Sequence, residues 1–208
     1  MNHLKVLRNI PVSSTVIGNL YPNTVGKSQK IRLLEKSGEI IRLKRGLYVV
    51  NPQASAVPIS TELIANHLYG PSYVSMLSAL RYYGLIPEAV QEMQSFTVKH
   101  NRSFENRFGV FRYLNCPTEY FSIGLTQQKT GEAYFVIASP EKALCDLIVH
   151  TSGLNLRYQK ECLGFLEQDL RLDMEAFSEM NPDIFRQCAA VGKKANTLNL
   201  IAKILENE

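Results

Sequence analysis

Side chains able to bind phosphate groups are concentrated near the amino terminus of this sequence. Four cations follow one another at Lys27, Lys30, Arg32 and Lys36, and Ser28 adds a hydroxyl beside them. Ammonium and guanidinium groups neutralise phosphates, while guanidinium and hydroxyl groups also bond to the edges of bases. These residue types and their spacing therefore predict a helix that contacts a polyanion.

A second basic group follows in a segment that has the pattern of a β-hairpin. Two runs of β-branched, aliphatic and aromatic residues are separated by Lys44, Arg45 and a glycine. A short loop that contains glycine joins two such runs into a hairpin. We therefore expect Lys44 and Arg45 at the tip of a hairpin, with Arg42 in the strand before them.

Positive charge is unevenly distributed along the 208 residues, although the net charge is only +4. Residues 1–50 contain nine Lys and Arg against two Glu, a balance of +7, and the remaining 158 residues carry a balance of −3. Such a local field attracts polyanions and makes their binding sensitive to salt. The alternative is a solvated helix face on an ordinary domain, and the basic hairpin favours the polyanion.

Three helices and the hairpin are the elements that would position these residues. The helical patterns cover residues 2–10, 14–20 and 26–36. A tight turn at 21–25 joins the second and third helices, as in a helix-turn-helix. Val6 in the first helix and Leu33 in the third fall on apolar sides that should be buried.

A helix that bears cations and is followed at once by a basic hairpin is typical of a winged helix-turn-helix. The third helix would enter the DNA major groove, and the hairpin tip would contact the flanking backbone. The predicted DNA-contacting residues are Lys27, Ser28, Lys30, Arg32, Arg42, Lys44 and Arg45. Winged helices also bind protein partners, but the uniform sign of the charge favours DNA.

The rest of the chain is predicted to form a second α+β domain. Small and polar residues at 51–57 mark the boundary, which gives domains at 1–52 and 58–208. Residues 58–150 should hold helices and a small, mostly antiparallel sheet, and residues 154–208 a helical tail. The predicted elements are helices at 58–69, 73–83 and 139–150, and strands at 95–99, 110–113, 120–123 and 133–138.

Two smaller groups of charged residues stand out in this second part. Arg102 and Arg107 lie in a polar stretch, 100–107, that is predicted to be an exposed loop. It offers either a second nucleic-acid contact or a solvated loop, and the solvated loop is favoured. Lys142 and Asp146 are four residues apart on a predicted helix and should form an ion pair.

Cysteine and histidine positions indicate neither disulfides nor a metal site. The four cysteines include no C-x-x-C pair and the four histidines are far apart, so we expect buried free thiols and no cofactor. The amino terminus has no apolar segment typical of a secretory signal, and no apolar run approaches the ~20 residues that span a bilayer. These features predict a cytoplasmic protein without a membrane segment.

Enzymatic activity is the least favoured class of function. Restriction-type nucleases need acidic groups and a lysine around a divalent metal, and no Asp or Glu here precedes a Lys by two positions. The sequence also contains neither a G-x-x-x-x-G-K-[ST] phosphate loop nor a G-x-S-x-G nucleophile elbow. No catalytic residue is therefore predicted.

Three segments together resemble the AbiEi family of bacterial antitoxins, one half of abortive-infection toxin–antitoxin pairs. They are RLKRGLYVV at 42–50, YVSMLSALRYYGLIPE at 73–88 and IASPEKALCDLIV at 137–149, in the order of the family. The middle and third segments are the more specific, because many winged helices contain a hairpin such as the first. The helical tail matches only loosely.

The resemblance implies a two-domain transcriptional regulator of a type IV toxin–antitoxin system. Its winged helix would bind double-stranded operator DNA and repress its own operon. Its second domain would counteract a partner toxin that is similar to a nucleotidyltransferase, and repeated operator sites would bind two copies of the protein. A stand-alone winged-helix regulator and a protein-interaction module without a toxin are the alternatives.

Overall fold

The computed structural model describes residues 3–207, which fold into an α+β protein with two hydrophobic cores. The smaller core lies in the amino-terminal quarter of the chain, and the larger one draws mainly on the residues after it. The predicted α+β class is therefore confirmed. All four cysteines are buried free thiols, as predicted. Within the described range, no helix combines the length and the apolar character that a membrane crossing needs.

The first fifty residues form a small unit of helices packed on a three-stranded sheet. Its elements are a 3₁₀ helix (His3–Leu7), β1 (Val12–Ser13), α1 (Ser14–Asn19), α2 (Lys27–Lys36), β2 (Ile40–Lys44) and β3 (Leu47–Val50). The strands are antiparallel in the order β1-β3-β2. Gly26 before α2 and Gly38 after it adopt φ values of 82° and 76°, which glycine adopts without strain. The predicted second helix, third helix and hairpin are confirmed.

Two apolar positions that the sequence predicts to be buried are exposed. Val6 is 71% exposed because the predicted helix at 2–10 is only a short 3₁₀ helix. The first position of that prediction lies outside the described range. Leu33 is 55% exposed because α2 turns Ile31 and Leu34 toward the smaller core instead.

A six-stranded mixed sheet forms the centre of the second unit. Its strands are β4 (Ser72–Val74), β5 (Glu92–Thr97), β6 (Arg102–Asn106), β7 (Gly109–Asn115), β8 (Leu125–Thr130) and β9 (Ala133–Ala138). They lie in the order β6-β7-β5-β4-β9-β8. The β4–β9 and β5–β7 pairs are parallel and the other neighbours are antiparallel, so the mostly antiparallel sheet is confirmed.

Helices pack on this sheet and form the end of the chain. They are α3 (Pro52–Ser55), α4 (Thr61–Leu68), α5 (Met76–Tyr82), α6 (Thr118–Phe121), α7 (Pro140–His150), α8 (Gln159–Gly164), α9 (Met174–Ser178), α10 (Pro182–Val191) and α11 (Ala195–Asn207). A π-helical turn, Phe165–Asp169, follows α8. The predicted helical tail is confirmed, and α3 occupies the stretch predicted to link two domains.

The predicted helix at 73–83 begins later than the sequence suggests. Its first residues form β4, because Tyr73 pairs with Phe96 of β5 and Val74 pairs with Ile137 of β9. These partners lie 23 and 63 positions away in the chain, so local helical spacing does not reveal them. The strand places the Tyr73 side chain in the middle of the larger core.

Two other predicted elements are wrong for reasons of local chemistry. The predicted strand at 120–123 overlaps α6, which follows Pro117, and proline donates no hydrogen bond to a sheet ladder. The predicted loop at 100–107 contains β6, an edge strand that needs a partner on one side only and tolerates charged residues. β8 has no counterpart in the prediction because its polar residues hide the strand pattern.

Residues of the β2–β3 hairpin alternate between the two cores. The side chains in the smaller core are Ile40, Tyr48 and Val50. The side chains in the larger core are Ile41, Leu43 and Val49. Because successive residues of a strand point to opposite faces, the hairpin is a layer shared by both cores and not a free arm.

Shortening a side chain in this shared layer should destabilise the whole protein. We expect Leu43→Ala to lower the free energy of unfolding by about 2–5 kcal/mol, because the buried side chain leaves a cavity in the larger core. The measurement is urea denaturation followed by circular dichroism. Leu33→Ala is the matched control, and its change should stay within about 0.5 kcal/mol. Equal effects of the two changes would contradict the shared layer.

A buried ion pair on α7 joins that helix to the sheet. Nζ of Lys142 lies 3.0 Å from Oδ1 of Asp146, and both side chains are fully buried. Oδ2 of Asp146 accepts hydrogen bonds from the hydroxyls of Tyr73 (3.0 Å) and Ser75 (2.6 Å). Nζ of Lys142 donates to the Tyr120 carbonyl at 3.1 Å. The sequence predicts this pair but not its burial, and the burial raises the pKa of Tyr73.

Candidate nucleic-acid interface

One side of α2 is exposed and carries hydrogen-bond donors. Ile31 and Leu34 hold the opposite side against the smaller core. A helix places positions i, i+3, i+4 and i+7 on one side. The exposed stripe of α2 consists of Gln29, Arg32, Leu33 and Lys36. A donor amide, a guanidinium, an apolar side chain and an ammonium therefore share one surface.

Predicted residues at the start of α2 face a different direction from this stripe. Nζ of Lys27 donates to Oδ1 of Asn19 in α1 at 3.4 Å, and the ammonium of Lys30 lies 4.8 Å from the centre of the Tyr21 ring. Both cations thus contact the neighbouring turn and helix. Ser28 is exposed, and its hydroxyl has no hydrogen-bond partner among the described residues, so it can bond to an external group.

The exposed stripe adds two residues that the sequence prediction does not include. Gln29 and Lys36 flank Arg32 along the helix, and all three side chains are exposed without a hydrogen-bond or ion-pair partner in the described structure. Spacing of three and four positions from Arg32 is the signal that identifies them. Among the predicted residues of α2, Arg32 is the one at the centre of this surface.

Arg42 is neutralised within the small unit. Its Nη2 lies 2.7 Å from Oε2 of Glu35 on α2, and its guanidinium carbon lies 5.8 Å from the centre of the Tyr48 ring. The hydrogen bond to Glu35 raises the pKa of Arg42. The pair ties β2 to α2, so Arg42 supports the position of the helix and contributes little free positive charge.

The two cations at the hairpin tip differ in their surroundings. Nζ of Lys44 donates to the Leu68 carbonyl at the end of α4 (2.6 Å) and lies 5.6 Å from the centre of the Phe104 ring. Burial lowers the pKa of Lys44. Lys44 is therefore held beside the tip by other residues, whereas the sequence predicts it at the tip itself. Arg45 is exposed and without a partner in the described residues.

Similarity to the AbiEi antitoxins stays a prediction. The sequence matches no protein-family model, and no curated protein is significantly similar to it. What this surface can bind therefore follows from its own donors. Unpaired guanidinium, ammonium and amide groups on an exposed helix suit a partner that is rich in phosphate oxygens and base acceptors.

Proposed function

We propose that this protein is a transcriptional regulator that binds double-stranded DNA through residues 3–50. The observation that carries the proposal is the exposed stripe of α2, on which Gln29, Arg32 and Lys36 have no partner in the described structure. Arg45, exposed and without a partner in the described part of the chain, adds a further cation on the hairpin. Unpaired donors held on a rigid helix bind without first giving up internal contacts.

The order of the elements supports a winged helix-turn-helix. α1 and α2 pack against each other across the short turn 20–26, and the β2–β3 hairpin follows at once. A short strand, β1, precedes α1 and pairs with β3. In this proposal α2 is the second helix of the motif and lies in the major groove.

Each exposed side chain has a defined role in the proposed complex. The guanidinium of Arg32 suits the O6 and N7 acceptors of guanine, and the amide of Gln29 suits adenine. Leu33 supplies an apolar surface for a thymine methyl group. Lys36 and Arg45 contact phosphates and so position α2 without reading the sequence.

The resemblance to the AbiEi antitoxins extends the proposal to a biological setting. The protein would act in the cytoplasm, repress its own operon and counteract a nucleotidyltransferase-like toxin encoded beside it. A neighbouring nucleotidyltransferase gene would support this extension. A stand-alone regulator is the second candidate, and it is favoured if no such gene lies beside the coding sequence.

An electrophoretic mobility shift with the DNA upstream of the protein's own gene tests the proposed DNA binding. We expect Arg45→Ala to weaken binding to specific and unrelated duplexes alike and to lower the salt slope of log K by about 1, because one phosphate contact is lost. Lys160→Ala, an equal charge change on α8, is the control and should leave the slope unchanged. Failure of the wild-type protein to shift any duplex would refute the proposal.

A further inference from the structure

Three cations, one from the small unit and two from the second unit, lie close to a group of aromatic rings beside the hairpin. The guanidinium carbon of Arg102 lies 5.0 Å from the centre of the Phe104 ring and 5.6 Å from that of Tyr69. The ammonium of Lys99 lies 5.3 Å from Tyr69, and that of Lys44 lies 5.6 Å from Phe104. We refer to Lys44, Lys99, Arg102, Tyr69 and Phe104 as the basic–aromatic cluster.

The positive charge of this cluster is not neutralised by the described residues. No carboxylate of the described residues forms an ion pair with Lys44, Lys99 or Arg102. Nζ of Lys99 donates to the Gly70 carbonyl at 2.5 Å. This carbonyl and the Leu68 carbonyl bound by Lys44 are both uncharged acceptors. Burial is the largest cause that lowers the pKa of Lys44, and the positive charges of Arg102 and Lys99 lower it further. Three like charges held together attract an external anion.

The fold makes the cluster rigid and continuous with the hairpin. The rings of Tyr69 and Phe104 both pack against Tyr113 of β7, with centre-to-centre distances of 5.4 Å and 5.8 Å. Nδ2 of Asn106 at the end of β6 donates to the Leu43 carbonyl of β2 at 3.3 Å. The cluster, which includes Lys44 of the hairpin, is therefore a fixed extension of the hairpin surface.

The geometry favours phosphate groups over bases as the ligand. Single-stranded nucleic acids stack their bases on free aromatic faces. Here the cations lie over the rings of Tyr69 and Phe104, and both rings are only partly exposed. The side chains of Lys99 and Arg102 are exposed, so the cluster presents charge and not ring faces to a partner.

We infer that the basic–aromatic cluster is a second DNA-backbone contact, which binds the phosphates of the duplex beyond the segment read by α2. The inference rests on the proposed function and adds to it a longer footprint that includes the second unit. Its contribution would be independent of sequence, because phosphate contacts position a duplex without distinguishing bases.

The test is a Lys99→Ala/Arg102→Ala double variant, measured by fluorescence anisotropy with a duplex from upstream of the gene. We expect about tenfold weaker binding and a salt slope lower by about 2, because two phosphate contacts are lost. A duplex trimmed to the segment under α2 should show a much smaller loss. Lys160→Ala/Lys203→Ala removes the same charge elsewhere and should bind as the wild type does, and thermal unfolding checks that all variants fold.

The outcomes separate this inference from the proposed function. If the double variant binds both duplexes like the wild type while Arg45→Ala weakens binding, the cluster is not a DNA contact and the proposed function stands. If the wild type binds no duplex, both fail. Tighter binding to a single strand of the same sequence than to the duplex would overturn the assignment to duplex phosphates. A loss confined to the long duplex would support it.

Discussion

Replacement of Asp146 by alanine should lower the free energy of unfolding by about 3–5 kcal/mol, because the Lys142 ammonium stays buried without its counter-ion. The variant also leaves the hydroxyls of Tyr73 and Ser75 without their acceptor. Buried donors without a partner lose their hydration and gain nothing in return. Since small domains are stable by only about 5–15 kcal/mol, this single change should remove a large part of the total.

Urea denaturation followed by circular dichroism measures this effect. Asp169→Ala is the control, because Asp169 is exposed and has no partner in the described structure, and its change should stay within about 0.5 kcal/mol. The double variant Lys142→Met/Asp146→Leu should be more stable than Asp146→Ala, because it leaves no unpaired charge. A single variant as stable as the control would show that the pair does not hold α7 to the sheet.

The buried pair also gives a physical meaning to two of the segments that carry the AbiEi resemblance. Tyr73 and Ser75 come from the segment 73–88, and Lys142 and Asp146 come from the segment 137–149. The structure brings these four side chains into one network in the larger core. Both segments therefore support the fold of the second unit, whereas the proposed DNA contacts lie elsewhere.

Simultaneous replacement of Arg32 and Lys36 by alanine should have the largest effect on DNA binding. Loss of a bidentate contact from Arg32 to guanine costs about 1–3 kcal/mol of discrimination between bases. Loss of the phosphate contact from Lys36 should in addition lower the salt slope by about 1. We therefore expect the preference of the variant for its own upstream DNA over an unrelated duplex to fall by about 1–3 kcal/mol, together with a weaker affinity for both duplexes.

Competition between the upstream duplex and an unrelated duplex measures this loss of specificity. The Lys27→Ala/Lys30→Ala variant is the informative comparison, because it removes the same charge from the same helix but from side chains that contact α1 and Tyr21. It should retain more of the sequence preference. If both double variants lose specificity equally, the exposed stripe is not the surface that reads bases.

Local chemistry explains which parts of the fold the sequence predicts. Gly26 and Gly38 flank α2, and a glycine-containing loop joins two β-rich runs, so short windows suffice for that helix and the hairpin. The strand β4, which takes the first residues of the predicted helix at 73–83, depends on partners far along the chain, which local patterns do not contain. The edge strand β6 pairs with the nearby β7, but its charged and polar residues hide the strand pattern.

The candidate site shows the same limit at the level of side chains. The sequence places Arg32 on a helix and Arg45 at a hairpin tip, and the structure finds both exposed. The sequence alone cannot reveal that Lys44 donates to the Leu68 carbonyl, or that the carboxylate of Glu35 neutralises Arg42. Both contacts depend on how the hairpin packs against other elements, and this packing decides which cations stay free for an external partner.

The salt dependence of binding to the upstream duplex tests most directly whether the exposed basic surface binds DNA. Fluorescence anisotropy titrations between about 50 and 200 mM salt give the slope of log K against log salt concentration. We predict a steep, linear decrease for the wild-type protein and a shallower one for the Arg32→Ala/Lys36→Ala variant. Binding that is insensitive to salt, or equal slopes for the two proteins, would contradict the proposal.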